Sequence, residues 1–353
     1  MRKGCVAVEL KDRAMSKIIG NTALKHRLCN DVAADSLSHA YILEGAEGSG
    51  RKTLALMTAA ALSCERKNDI HSALPCLECA SCKKILDLKS PDVIFLGTDG
   101  KASVGVDVVR FLKEDVHVIP NDLDHKFYII EDADKMTPQA QNAILLTLEE
   151  PPSFVHFFLL CSNSVSLLET IRSRAPTLRT EQIPDIQIDE YICSSSTVAR
   201  QIKTTSPAEY NELIKASQGS IGKAIELLDT KSWSEAAQKR LLIKRFLDTA
   251  TKRNGAKAIL PLIGELSTKR DILIDNLNLL HIAIRDLILL KKSDDPPLCF
   301  FGDINEAIEI CDRVSLSFLF SLQNAITNAI DECRRNANVR LLLMKMAISA
   351  NLM

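Results

Sequence analysis

Residues 40–53 constrain this chain more than any other stretch. The apolar run Ala40-Tyr41-Ile42-Leu43-Glu44 has strand character, leads into Gly45-Ala46-Glu47-Gly48-Ser49-Gly50, and is followed by Arg51-Lys52-Thr53 at the head of a helical pattern. A strand feeding a glycine-rich turn and then a helix is how backbone amides at a helix N-terminus are turned inward to cradle a phosphate. Further strands are predicted at Val93–Leu96, Phe127–Glu131 and His156–Cys161, with helical stretches at about 22–34, 51–65, 106–116 and 137–149. The last starts at Thr137 as N-cap with Pro138 at N1, and stops before Pro151. This alternation predicts an α/β domain around a parallel sheet.

The loop departs from the working pattern G-x-x-x-x-G-K-[ST], which needs a lysine directly after the last glycine and then a hydroxyl for Mg²⁺. Arg51 and Lys52 hold those places, and Thr53 lies one residue too far, about 100° round the helix. The residues Gly45, Gly48, Gly50, Arg51, Lys52 and Thr53 therefore read as a loop of phosphate-binding shape without its catalytic hardware. ATP binding is expected to be weak or absent. A ligand-free glycine-rich turn and a shifted register that restores Lys52-Thr53 as a working pair remain open alternatives.

A second departure lies at Glu131-Asp132, after the strand Phe127–Ile130. An ATPase strand of this kind ends in an Asp for the Mg²⁺ shell and then a Glu that polarises water; here the order is reversed. Two independent elements off pattern point to lost hydrolysis.

Four cysteines, Cys64, Cys76, Cys79 and Cys82, fall within 19 positions. Thiolates at this spacing close a tetrahedral S₄ shell around Zn²⁺, and four protein ligands leave no open position for catalysis. A structural zinc knuckle is expected; free thiols, or His71 in place of Cys64, are the alternatives. The other seven cysteines are scattered, and an odd total of 11 in a chain without a leader argues for reduced thiols.

Arg174 follows Thr170-Ile171-Arg172-Ser173. Such an arginine either caps carbonyls or pairs with an acid, or it stabilises phosphate charge in a neighbouring subunit's site.

After about 183 strand patterns vanish. Short helices punctuated by Ser/Thr clusters and Gly219 and Gly222 give way to long apolar-periodic helices such as Arg270–Leu290 and Ser315–Arg335. With 44 Lys+Arg against 45 Asp+Glu, the chain has no basic excess for binding DNA alone. No membrane span is expected, and a cytoplasmic location is the default.

In chain order, several stretches resemble the clamp-loader branch of the AAA+ proteins over residues 18 to about 230. They are Ile18-Ile19-Gly20-Asn21, Leu37-Ser38-His39-Ala40-Tyr41-Ile42-Leu43, the cysteine knuckle, Asn142 through Leu148-Glu149-Glu150-Pro151-Pro152, Ser173-Arg174-Ala175, and Gly219-Ser220-Ile221-Gly222-Lys223-Ala224. Residues 1–14 read as a loosely attached extension, and the pattern itself changes near 180 and 235. The resemblance implies that the segments so bounded are an AAA+ P-loop-type core with parallel sheet (15–180) carrying the zinc knuckle (64–82), a small helical lid (181–235) and an all-α C-terminal collar (236–353).

It also implies a place in a ring of five clamp-loader subunits that loads a sliding clamp on primed DNA. Gly222 stands where the hydrolysing members carry a phosphate-sensing arginine, a third loss. Arg174, with Ser173 beside it, is implied as an arginine finger offered in trans. Ala175 replaces the family's usual cysteine. The rival readings are a hydrolysing motor subunit that uses Lys52-Thr53 and Glu131-Asp132, and a zinc-containing interaction module on a relic fold.

Overall fold

The computed structural model describes residues 15, 18–69, 73–98, 103–252, 256–266, 269–293, 296–335 and 337–349. The extension expected at 1–14 and the alternative ligand His71 lie outside the described residues. The chain divides into two units, one running to Ile183 and including Ser220–Gly222, the other comprising Pro184–Gly219 and the chain from Lys223 onward.

In the first unit five strands, β1 (Ala40–Glu44), β2 (Val93–Leu96), β3 (Lys126–Ile130), β4 (Val155–Cys161) and β5 (Thr177–Arg179), form one parallel sheet in the order β2-β3-β4-β1-β5. Ala40 faces Phe157 and Glu44 faces Cys161 across β1 and β4. On the other side of β1, Ile42 pairs with Thr177 of β5. The four expected strands are present with ends moved by one residue at most, so Glu131 falls just past β3. The fifth strand escapes the sequence because it is three residues long and only Leu178 is buried in it.

Around the sheet lie α1 (Thr22–Ala33), α2 (Arg51–Leu62), α3 (Ala80–Leu86), α4 (Val106–Asp115), α5 (Pro138–Glu149) and the single turn α6 (Glu169–Arg172). Because successive side chains of a strand point to opposite faces, β3 and β4 supply two cores at once. Phe127, Ile129, Phe158 and Leu160 pack on α1 and α2, while Tyr128, Ile130, Phe157 and Leu159 pack on α4 and α5. In α2 every residue from Leu54 to Leu62 is buried, so the helix that follows the glycine-rich loop is held rigidly at its far end.

Two polar residues that no motif singled out tie loops to this frame. Asp92, 1% exposed, accepts the backbone N–H groups of Asn121 (2.7 Å), Asp122 (2.7 Å) and Leu123 (2.9 Å). Gln141 of α5 donates to the carbonyls of Met136 (3.2 Å) and Ser166 (3.3 Å) and accepts from Leu168 N–H (2.7 Å), fixing the path from β4 to α6. Thr137 caps α5 by accepting from Ala140 N–H at 3.2 Å, with Pro138 at N1, as expected.

The described residues of the second unit are helical: α7 (Asp185–Ser195), α8 (Thr197–Thr205) and α9 (Pro207–Ser217), then α10 (Ile221–Glu226), whose first two residues belong to the first unit, and α11 (Thr230–Ala250), α12 (Ala256–Glu265), α13 (Arg270–Leu290), α14 (Ile304–Cys311), α15 (Leu316–Arg334) and α16 (Val339–Ser349). Leu273, Leu277, Leu280, Ile284 and Leu287 form the buried stripe of α13, at the spacing of one helix face. The expected boundary near 235 falls inside the continuous helix α11.

Charges cross that boundary. Lys244 of α11 bridges Glu212 of α9 (3.2 Å) and Glu306 of α14 (2.8 Å). Buried Arg240 donates to the carbonyl of Phe300, while buried Asp286 accepts from the N–H groups of Cys299 (2.9 Å) and Phe300 (2.6 Å). No helix among the described residues is long and apolar enough to cross a membrane.

Candidate functional site

The glycine-rich loop leaves the C-terminal end of β1, with Gly45 N–H donating to the carbonyl of Cys161 at 3.0 Å. Gly48 (φ 72°) and Gly50 (φ 88°) adopt the left-handed conformation that glycine reaches without steric cost. Gly50 is the N-cap of α2 and has no side chain to satisfy the first amides of the helix. The loop is braced from two sides. Thr180 Oγ1 donates to Ser49 Oγ at 2.9 Å, and its side chain fills the space a Cβ on Gly45 would need. Ser220 Oγ donates to the carbonyl of Glu47 (2.9 Å), and Gly222 N–H donates to that of Gly48 (3.1 Å).

Gly222 is pressed on the loop so closely that an added Cβ would lie 2.7 Å from Gly48 Cα and 2.9 Å from its carbonyl oxygen. Glycine at this position is therefore a condition of the contact.

Lys52, after the loop, is engaged by the acid just past β3. Lys52 Nζ lies 2.7 Å from Glu131 Oε1 and 4.3 Å from the centre of the Phe95 ring. The fold thus brings together the two departures found separately in the sequence. Asp132, in the left-handed region at φ 53°, turns to Lys135 at 3.3 Å. Asp134 accepts from the N–H (3.1 Å) and hydroxyl of Ser162.

Glu44 accepts from Ser164 Oγ at 2.6 Å and Arg179 Nε at 3.2 Å. Arg51, half-buried, makes no ion pair among the described residues, and Thr53 is exposed. Burial pushes the Cys161 thiol up to about 12, with Asp134 and Glu44 adding to it and Arg51 opposing, so this thiol stays protonated and inert.

Cys64, Cys76, Cys79 and Cys82 come together with all four Sγ atoms within 4.8 Å of one another. Cys64 follows α2 and Cys79 is the N-cap of α3, so the knuckle hangs between two helices that the core fixes. Leu77, left-handed at φ 63°, turns the chain so that Cys79 N–H reaches Cys76 Sγ at 3.4 Å; Cys82 N–H reaches Cys79 Sγ at the same distance. Burial acts to raise the Cys76 thiol, but backbone N–H groups of Glu78 and Cys79 and bonds from Cys64 and Cys79 bring it down to about 7.

Burial dominates at Cys64 and Cys82 and raises both. Four thiols gathered at one point, all but Cys76 buried, with amides already donating to two sulfurs, fit a tetrahedral metal shell. Arg66 to Glu78 (3.0 Å) and Ser81 to Glu65 (3.1 Å) strap the knuckle from outside.

Arg174 lies just past α6. Its Nη1 donates to the carbonyl of Thr170 (2.8 Å) and to Ser173 Oγ (3.3 Å), and its Nη2 to Glu149 Oε1 (2.5 Å). Ser173 Oγ in turn donates to the Thr170 carbonyl at 3.0 Å. Both simple roles open to such an arginine, carbonyl capping and acid pairing, are thus filled within the chain, and the side chain remains 34% exposed.

A family model described as DNA polymerase III, delta subunit, matches residues 20–184, which span the sheet, the glycine-rich loop, the knuckle and Arg174. The delta' subunit of DNA polymerase III from Bacillus subtilis is 27% identical over 309 residues, covering 86% of this chain and 85% of that protein. The chain is similar to subunits of DNA polymerase III over these residues. It is also similar to the gamma/tau subunit of DNA polymerase III from Mycoplasma pneumoniae, 30% identical over 215 residues.

That match covers 61% of the chain and 30% of the relative, so the chain spans about a third of the length of the gamma/tau proteins it matches. Among solved structures, a gamma-subunit-related protein of Thermotoga maritima is 18% identical, with 92% of this chain and 98% of that one covered at a TM-score of 0.42.

Proposed function

We propose that this chain is the delta-prime-type subunit of a bacterial DNA polymerase III clamp loader, acting in the cytoplasm as a stator that does not hydrolyse ATP. In this reading an AAA+ core, a helical lid and a helical collar take their places in a ring of five subunits. The chain offers Arg174, with Ser173 beside it, to the ATP of an adjacent subunit, and the ring opens a sliding clamp and loads it on primed DNA. DNA contact is shared among the subunits, which suits a chain with a formal charge of -1.

The observation that carries the reading is the Lys52–Glu131 pair at 2.7 Å. The lysine that follows the glycine-rich loop and Glu131, which holds the strand-end place of the Mg²⁺-shell acid, neutralise each other. The contact of Gly222 with Gly48 supports it, since a phosphate-sensing side chain has no room there. Cys64, Cys76, Cys79 and Cys82 would hold a Zn²⁺ that crosslinks the knuckle and does no chemistry on substrate.

A second reading, the hydrolysing gamma/tau-type motor, draws on the 30% identity to the Mycoplasma pneumoniae subunit. An ATPase assay of the purified chain, alone and with its cognate loader subunits, separates the two. The stator shows negligible turnover alone, and Arg174→Ala lowers the DNA- and clamp-stimulated ATPase of the complex. Brisk turnover of the isolated chain, abolished by Lys52→Ala, would establish the motor. If the complex is indifferent to Arg174→Ala and the isolated chain is inactive, an interaction module on a relic fold remains.

A further inference from the structure

We propose that Glu149 is a positioning residue for Arg174, holding its guanidinium in place before a neighbour's phosphate arrives; this rests on the reading that Arg174 acts in trans. Arg174 follows α6, a single turn from Glu169 to Arg172, which is too short to hold a long side chain by its own cooperativity. Its fixed point is elsewhere. Glu149 is the last residue of α5, a helix whose Ile144 and Leu148 are buried and whose Gln141 is bonded to the loop that leads to α6.

The contact at 2.5 Å is charge-assisted and therefore stronger than the two bonds to the neutral oxygens of Thr170 and Ser173.

Those three bonds engage three of the five N–H donors of the guanidinium, leaving Nε–H and one Nη2–H without a partner among the described residues. A planar fork with one edge anchored and the other vacant suits bidentate recognition of a phosphate. Stability alone does not account for the carboxylate. A negative side chain in the last turn of a helix opposes the helix dipole, so Glu149 is unfavourable there unless a cation meets it. Glu150, the adjacent acid, is exposed and has no such partner among the described residues. Preorganising the donor removes its rotamer entropy from the step in which charge develops, which is where electrostatic catalysis gains most.

The test is steady-state ATPase kinetics of the reconstituted loader, with cognate ATPase subunits, clamp and primed DNA. The chain is wild type or carries Glu149→Gln, Glu150→Gln, Arg174→Ala, or Glu149→Gln with Arg174→Ala. Glu149→Gln is expected to lower kcat about three- to tenfold at little change in KM for ATP. Glu150→Gln leaves kcat unchanged, and Glu149→Gln adds nothing once Arg174 is alanine, which a merely structural role of the pair would not produce. Thermal unfolding of each chain reports its folding separately.

If Arg174→Ala lowers kcat but Glu149→Gln is silent, or if the two effects multiply, the positioning role is overturned and the trans role stands. If Arg174→Ala is itself silent, the trans role falls and the positioning role with it.

Discussion

Lys52 Nζ lies 2.7 Å from Glu131 Oε1, joining the first turn of α2 to the end of β3. The two residues are 79 positions apart in the sequence and are brought together by parallel pairing of the strands that precede them. Each side chain is more than two-fifths exposed, so the pair contributes little to stability and its consequence is electrostatic.

Reversing it tests that balance. Lys52→Glu places two acids together and is expected to destabilise the chain by roughly 0.5–1 kcal/mol, while Lys52→Glu with Glu131→Lys restores most of the loss. Urea unfolding of the two single variants and the double variant measures the coupling, and raised salt should shrink it. A coupling of zero would overturn the expected electrostatic balance between the two side chains.

Gly222 is predicted to tolerate no side chain. Gly222→Ala puts a Cβ 2.7 Å from Gly48 Cα, where both neighbours are backbone and cannot swing away. Overpacking of this kind costs about 1–3 kcal/mol. Gly222→Arg should lower stability at least as much and confer no ATPase on the isolated chain. Chemical denaturation and a phosphate-release assay check the two halves of the prediction.

The cysteine cluster should bind about one Zn²⁺ per chain, as a closed four-thiolate shell implies. Cys79→Ser removes a ligand at the N-cap of α3 and is expected to lower both zinc content and the midpoint of thermal unfolding. Chelation of the wild type should reproduce the loss of stability, because Cys64, Cys79 and Cys82 belong to the apolar core on the α2 side of the sheet. Metal analysis alongside calorimetry distinguishes this from a cluster of free thiols, which would leave the unfolding midpoint insensitive to chelator.

Acid should weaken the first unit through His156. This residue is 7% exposed at the start of β4, with its Nε2 3.3 Å from His125 Nδ1, and burial, followed by the His125 charge, brings its pKa down to about 4. The unfolded chain takes up a proton below the ordinary value of about 6.5, whereas the folded chain resists until about 4.

The histidine's contribution is therefore complete above about pH 6.5 and is lost progressively as pH falls to about 4, a total on the order of 3 kcal/mol. His125, also lowered by burial, acts in the same direction. His156→Phe, beside the stacked ring of Phe127, should flatten the dependence of urea midpoint on pH across that window. An unchanged slope would remove His156 as its source.

Much of the α/β half was legible because its signals are local. The strand β1 and the glycines after it, the Thr137-Pro138 start of α5, and the buried runs of β3 and β4 each announce themselves within a few residues. β5 was not legible: Thr177–Arg179 becomes a strand only because the free edge of β1 is there to pair with it. Asp92 and Gln141 were equally silent, since an isolated polar residue does not say which backbone it will meet.

Of the candidate site, the sequence alone determined which groups are present and which are out of register: Arg51 after the last glycine, Glu131 before Asp132, Gly222 in place of a longer side chain, and four cysteines at knuckle spacing. Those are properties of order along the chain. Only the tertiary structure decided what each charge does. It set Lys52 against Glu131, Arg174 against Glu149 in preference to Glu150, and Gly222 against Gly48. An ion pair or a backbone contact between residues tens of positions apart depends on distances that only strand pairing and helix packing set.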